Sequence, residues 1–407
     1  MSEGARQNAP PTGIELTALD EAFREDPYPI LDRLRSLEPV HHDEVLHRWV
    51  LTRSADVERA VNDRSLSADP RKAAPGTYMA LFAGADRDRE PSILFLDPPD
   101  HTRLRGLVSK AFTPRAVERM GPRIQQIVDE LLDAVAGLDR FDLMASFAGP
   151  LPTIVIAEML GVDPADRDDF KHWSDESVLG FNPVISEEER ARVVAAGDAM
   201  DQYLRRAIAE RRAHPRDDLM SALIAVEEAG DQLTNEEIVT MCALLLAAGN
   251  VTTTDLIGNG VLALLRHPEQ LAALREEPSL ITNAVEEMLR FDGPVVQTGR
   301  IALSDAEVDG HRIGPGESIL TSLAAANHDP EAHTHPERFD IRREDKRHHA
   351  FGGGIHYCLG APLARLEAQI AIGTLVRRFP NLRPAGEPLE WRRTPSFRGL
   401  LGLPVLV

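Results

Sequence analysis

The chain has only two cysteines in 407 residues, Cys242 and Cys358. That is too few for a disulfide framework, and it fits a reducing cytoplasm. It also lacks a basic excess. Forty-five Lys and Arg against 65 Asp and Glu leave a net charge of −20 and a pI of about 5.2. A general nucleic-acid binder, which must track phosphates, is excluded, although a local basic patch is not. The opening stretch MSEGARQNAPPTGIELTALDEAF has neither an apolar signal core nor a run of about 20 apolar residues, so nothing in it marks export or membrane insertion. Gly/Ser-rich linkers and internal repeats are missing too, which predicts one folded unit over 1–407 behind a flexible leader at 1–20. With 43% hydrophobic and 27% charged residues, the balance is that of an ordinary globular protein.

Helical periodicity dominates what is present. Ile30, Leu31, Leu34 and Leu37 recur at helical spacing, and Trp49–Thr52 reads as a short strand. Amphipathic segments follow from HTRLRGLVSKAF onward, and short extended pieces return in RIALSDAEVDGHRIGPGESIL and in the tail. Thr234 and Glu237 have capping-box spacing, and no proline interrupts the chain until Pro268. A helix over 235–266 is therefore expected, about 48 Å long. The fold class predicted is mainly α with a small β-rich region.

FGGGIHYCLG sets three glycines ahead of Cys358. Leu359, Leu363, Leu366, Ile370 and Leu375 then recur at near-helical intervals, with Pro362 in the first turn, so the thiol lies at a helix N-terminus. That end favours a thiolate, and glycine amides approach it without Cβ obstruction. On these residues alone three other readings stay open. Cys358 also reads as a buried inert thiol, more weakly as a member of a zinc site with His348, His349 and His356, or as a nucleophile awaiting a base.

The same stretch resembles the haem-ligand signature of the cytochrome P-450 superfamily, with Phe351, Gly354, His356, Cys358 and Gly360 at its positions. The resemblance implies that Cys358 is the proximal thiolate ligand of the iron in haem b (heme b, iron protoporphyrin IX), pushing electron density onto the metal. His356 is then expected at a haem propionate. The likeness spans about residues 25 to 407. It implies a triangular-prism fold with the long helix across the distal haem face, in a soluble bacterial member of the family.

Further positions carry the same resemblance. Glu287 and Arg290 match the Glu-x-x-Arg pair, with Arg338 of HPERF as its expected third member. His101, Arg105 and Arg300 match propionate-binding positions, where charge-assisted hydrogen bonds hold carboxylates. On the long helix, Ala248 and Gly249 are small enough for an oxygen groove, and Thr252 matches the distal alcohol. Val251 stands where the family usually has an acid, which leaves proton delivery to Thr252, Asn250, Thr253 and water, or to Asp255 one turn on. Leu94, Leu244, Leu245, Ala248, Val295, Val296 and Phe397 are the expected substrate contacts. The function implied is a haem-thiolate monooxygenase that oxidises a terpenoid, steroid-like or polyketide small molecule with O2 and two electrons. Arg115, Arg119, Lys346, Arg347 and Arg365 form a candidate docking island for an acidic ferredoxin, the electron donor that works with its reductase. Two alternatives remain: a peroxide-driven hydroxylase, and a non-catalytic haem protein that binds a ligand.

Overall fold

The computed structural model describes residues 9–83, 91–182, 185–228 and 233–407. The chain divides into two compact units, each assembled from separated segments.

The first unit comprises residues 1–87, 286–358 and 391–398. Its centre is a five-stranded sheet in the order Val40–Asp43, Arg48–Leu51, Ser318–Ser322, Gln297–Ala302, Leu66–Ser67. Arg48–Leu51 and Ser318–Ser322 run parallel, with Trp49 opposite Ile319, and both are buried along their whole length. Two-sided burial explains why WVL and SILTS read as nearly continuous runs rather than as alternation. Helix Ser54–Asn62 brings Val57, Ala60 and Val61 into one core with Trp49, Leu51, Ile319 and Leu323. The expected helix near Pro29 spans Tyr28–Leu37 and buries Leu31 and Leu34. The leader expected over 1–20 is packed in part. Thr12 Oγ1 and the Gly13 N–H donate to Asp43 Oδ1 at 2.9 and 3.0 Å, and Leu16 and Ala18 are buried.

The second unit comprises residues 88–285, 359–390 and 399–407. Helix Asn235–Arg266 runs through it against helices Pro150–Leu160, Arg167–Leu179, Glu187–Ala213 and Ala361–Arg378. Its start is a full capping box: Thr234 Oγ1 accepts from the Glu237 N–H, and the Glu237 carboxylate accepts from the Thr234 N–H. By length and hydropathy this helix could cross a membrane, yet most of its side chains are buried inside the unit. A three-stranded sheet, Arg140–Asp142, Pro404–Leu406 and Arg383–Pro384, closes one edge of the unit.

Candidate haem and substrate site

In the first unit, the cysteine loop owes its shape to backbone packing. Gly354 has φ +61°, and a Cβ there would lie 2.4 Å from the Val61 carbonyl oxygen; one at Gly353 would lie 2.5 Å from Val61 Cγ2. The glycines thus let the loop close onto the end of helix Ser54–Asn62, a reason the sequence does not reveal. The loop then folds back on itself. The Cys358 N–H donates to the Phe351 carbonyl at 3.0 Å, and the Tyr357 N–H to that of Gly354 at 3.2 Å. Cys358 and His356 are half-buried. The next helix begins at Ala361, with Gly360 as its N-cap and Pro362 in its first turn.

The zinc reading fails here. His348 Nε2 lies 3.1 Å from Glu286, and His349 Nε2 lies 2.8 Å from Ser54 Oγ. Among the described residues, no group of three or more His, Cys, Asp or Glu is placed to hold a metal.

Glu287 and Arg290 form a buried bidentate pair, with both bonds at 2.8 Å. The expected third member is corrected. Arg338 offers only its carbonyl, which accepts from Arg290 at 3.0 Å, while its side chain is 69% exposed beside Glu337. Arg343 supplies the second guanidinium, its Nε reaching both Glu287 oxygens. Arg290 also donates to the Asn327 and Pro336 carbonyls, so the pair ties the helix carrying it to the chain leading toward the cysteine loop.

Arg300 is buried in strand Gln297–Ala302, its Nη1 donating to the Gly299 carbonyl at 2.7 Å. Just before this strand the two valines differ in burial. Val296 packs with Phe23, Leu31, Ala324 and Ala325, so this expected substrate contact is core. Val295 is half-buried: it packs in part against the core of Trp49, Leu51 and Leu323, and it pairs across an isolated antiparallel bridge with Phe397, also half-buried.

In the second unit, helix Asp100–Val108 sets His101 and Arg105 one turn apart. His101 is 2% exposed. Burial first, and then the Arg105 charge, lowers its pKa. Leu94 is 40% exposed.

The middle of the long helix has one open stripe. Ala248 is exposed and Thr252, four residues on, is half-buried, although Asn250, Val251, Thr253 and Thr254 are all buried. The Thr252 hydroxyl donates to the Ala248 carbonyl at 2.8 Å, leaving its lone pairs to accept. Leu244 is half-buried and Leu245 is 8% exposed. The small size of Gly249 serves close packing of helices, because a Cβ there would meet Ile156 Cγ1 at 3.3 Å. Val251 is 1% exposed. Asn250 Oδ1 lies 2.9 Å from Thr153 Oγ1. Asp255 is fully buried, its carboxylate filling the place a side chain at Gly399 would take, with Cγ 2.0 Å from that Cβ position. Cys242 is buried in the same helix, and burial pushes its thiol up to about 12.

This donor set suits a haem. One thiol stands on a glycine-shaped loop. A histidine and an arginine on one helix face oppose each other's charge, which an anion such as a propionate relieves. A stripe of small and hydroxyl side chains opens on an otherwise buried helix. The expected docking residues are mixed: Arg115, Arg119 and Lys346 are exposed and Arg365 is half-buried, while Arg347 is exposed but already held bidentately by Asp345 at 2.9 Å.

Comparison with known proteins agrees with this chemistry. The cytochrome P450 family model matches residues 178–398. Cytochrome P450 107B1 of Saccharopolyspora erythraea is 46% identical, over 96% of this chain and 97% of that protein. The vitamin D(3) 25-hydroxylase of Pseudonocardia autotrophica is 43% identical, over 94% of each. Among solved structures, Mycobacterium smegmatis CYP164A2 with econazole bound superposes with a TM-score of 0.87 at 43% identity, covering 96% of this chain and 98% of that one. Arrangement and relatives together establish that the chain belongs to the cytochrome P450 family, as a monooxygenase with haem b for its cofactor.

Proposed function

We propose that the protein hydroxylates or otherwise oxidises a hydrophobic small molecule, with O2 and two electrons delivered by a ferredoxin-type donor and its reductase. The observation that carries this is the open stripe on the long helix, Ala248 and Thr252, beside Leu244 and Leu245. Nothing charged lies on it, which suits an apolar ligand near a reaction that needs a proton. A relative named for hydroxylating vitamin D(3) supports a bulky hydrophobic substrate.

Haem b, when bound through Cys358, supplies dioxygen activation at a thiolate-ligated iron. The chain's own residues do the rest. Cys358 provides the ligand sulfur; Phe351, Gly354 and Gly360 shape its loop. His101, Arg105, Arg300 and His356 hold the propionates. Ala248 leaves room on the helix, and Thr252, its own proton committed to the Ala248 carbonyl, accepts a hydrogen bond and orients the proton donor. Leu94, Leu244 and Leu245 in the second unit, and Val295 and Phe397 in the first, are the proposed apolar contacts of the substrate. Glu287, Arg290 and Arg343 are structural. Residues 1–407 act as one catalytic domain in the cytoplasm, and Arg115, Arg119, Lys346 and Arg365 attract the acidic donor.

One observation favours a second reading, a peroxide-driven hydroxylase. Val251 replaces the acid and Asp255 is closed off by Gly399, so no carboxylate of this segment stands ready to pass a proton. Reconstitution decides between them. Product and NADH consumption with a ferredoxin and its reductase supports the first reading; product with hydrogen peroxide alone, and none with the electron chain, replaces it with the second.

A further inference from the structure

Two chain segments carry Val295 and Phe397, and they are laced together. Besides the Val295–Phe397 bridge, the Val296 N–H donates to the Ser396 carbonyl at 3.1 Å and the Arg398 N–H to that of Pro294 at 2.8 Å. In such an extended pairing, neighbouring side chains point to opposite faces. Whatever fixes Arg398 on one face therefore fixes Phe397 on the other.

Arg398 is held on every side. It is 8% exposed. Its Nε donates to Asp292 Oδ1 at 2.6 Å, Nη1 to the Arg24 carbonyl at 2.7 Å and Nη2 to the Glu25 carbonyl at 3.1 Å. Its guanidinium lies 3.7 Å from the centre of the Trp391 ring. Asp292 Oδ1 accepts a second bond, from the Tyr28 hydroxyl at 2.7 Å, and the Tyr28 ring stacks on His328. Arg24 and Glu25 end helix Glu21–Glu25, so the cation also sits at carbonyls that seek one.

A buried ion pair is a poor way to add stability, because desolvation offsets most of the attraction. It does define one geometry, since a guanidinium's planar fork accepts few arrangements. We propose that Arg398, locked by Asp292, Tyr28 and Trp391, is a positioning residue that fixes where Phe397 and Val295 stand, and thereby selects which bulky ligands the pocket admits. This rests on the reading that Phe397 and Val295 belong to the pocket wall.

The test uses the haem-loaded full chain and two iron-binding probes in spectral titrations. Imidazole reports the iron site alone, whereas econazole carries the same ring with two bulky aromatic groups that must meet the wall. Arg398→Lys keeps the charge but not the fork; Tyr28→Phe removes one hydroxyl and serves if the first variant folds poorly. Phe397→Ala tests the wall directly. We expect Phe397→Ala and Arg398→Lys each to change the econazole-to-imidazole affinity ratio about fivefold or more, and Tyr28→Phe about twofold in the same direction as Arg398→Lys. An unchanged ratio in Arg398→Lys and Tyr28→Phe beside a changed one in Phe397→Ala overturns the positioning role and keeps the wall. An unchanged ratio in Phe397→Ala removes Phe397 from the wall, and the proposal with it. Equal weakening of both probes in Arg398→Lys shows a general structural role and also overturns the proposal.

Discussion

Arg343 Nε stands 3.2 and 3.0 Å from the two carboxylate oxygens of Glu287, whereas the Arg338 side chain points into solvent. Glu287 also accepts from the Asp340 N–H at 2.9 Å, so one carboxylate gathers two arginines and a backbone amide. Removing one partner of a buried charge leaves the other uncompensated. Arg343→Ala should therefore cost about 3 kcal/mol and lower haem retention, while Arg338→Ala stays within about 0.5 kcal/mol of the native protein. Denaturant midpoints and the ratio of Soret to protein absorbance check both; equal losses would return Arg338 to the network.

Thr252→Ala should bind substrate and consume NADH but divert much of it to hydrogen peroxide, because it removes the only hydroxyl on the open stripe. Val251→Asp behaves differently. The position is 1% exposed, so the acid is buried rather than presented to the stripe, at a cost of about 3 kcal/mol, with little gain in coupling. Product and peroxide formed per NADH, with melting temperatures, separate the two. Tight coupling in Thr252→Ala would remove its hydroxyl from proton handling.

Gly354→Ala tests the loop. A positive φ costs an alanine about 1–3 kcal/mol, and its Cβ would also collide with the Val61 carbonyl. Expected is a protein that folds but takes up haem poorly, with a weakened thiolate-type Soret band in the reduced carbon monoxide complex. A normal band at full haem content would show that Ser54–Asn62 does not set the loop.

Glu367 gives a pH prediction. It is 2% exposed, and burial pushes its carboxyl up to about 8. The folded protein thus keeps this proton up to about pH 8, whereas the unfolded chain releases it above about pH 4.3. Stability falls as pH rises through that window, by up to about 1.4 kcal/mol per pH unit from this group. Glu367→Gln, neutral at every pH, should match the native protein near pH 4 and exceed it near pH 8. Parallel stability curves for the two proteins would remove Glu367 as a source of the slope.

The long helix was readable because its signals are local: a capping box at one end and a proline past the other frame Asn235–Arg266 without help from the rest of the chain. The cysteine loop is readable as a motif, but the packing of Gly353 and Gly354 on Val61 is not, since Val61 lies far away in sequence. The same limit hid Arg343, which stands 56 residues from Glu287, while HPERF offered a nearer arginine. Helical phase sets Asp255 on the face of Ala248 and Thr252, and only the packing of Gly399 shows that the face is covered there. Val295 and Val296 are alike in composition, and tertiary packing alone buries Val296 in one core while leaving Val295 half-buried against another.

The cluster around Arg398 joins carbonyls near residue 24 to a side chain 374 positions later. At about 5–20 residues per second, a ribosome takes roughly 20–75 s to cover that distance. Through all that time the C-terminal end of helix Glu21–Glu25 waits for its cation, and Asp292, made 106 positions before Arg398, is without it for the last part. The contact between Arg398 and the Arg24 carbonyl therefore forms only once 374 further positions have been made, long after the helix it caps is complete.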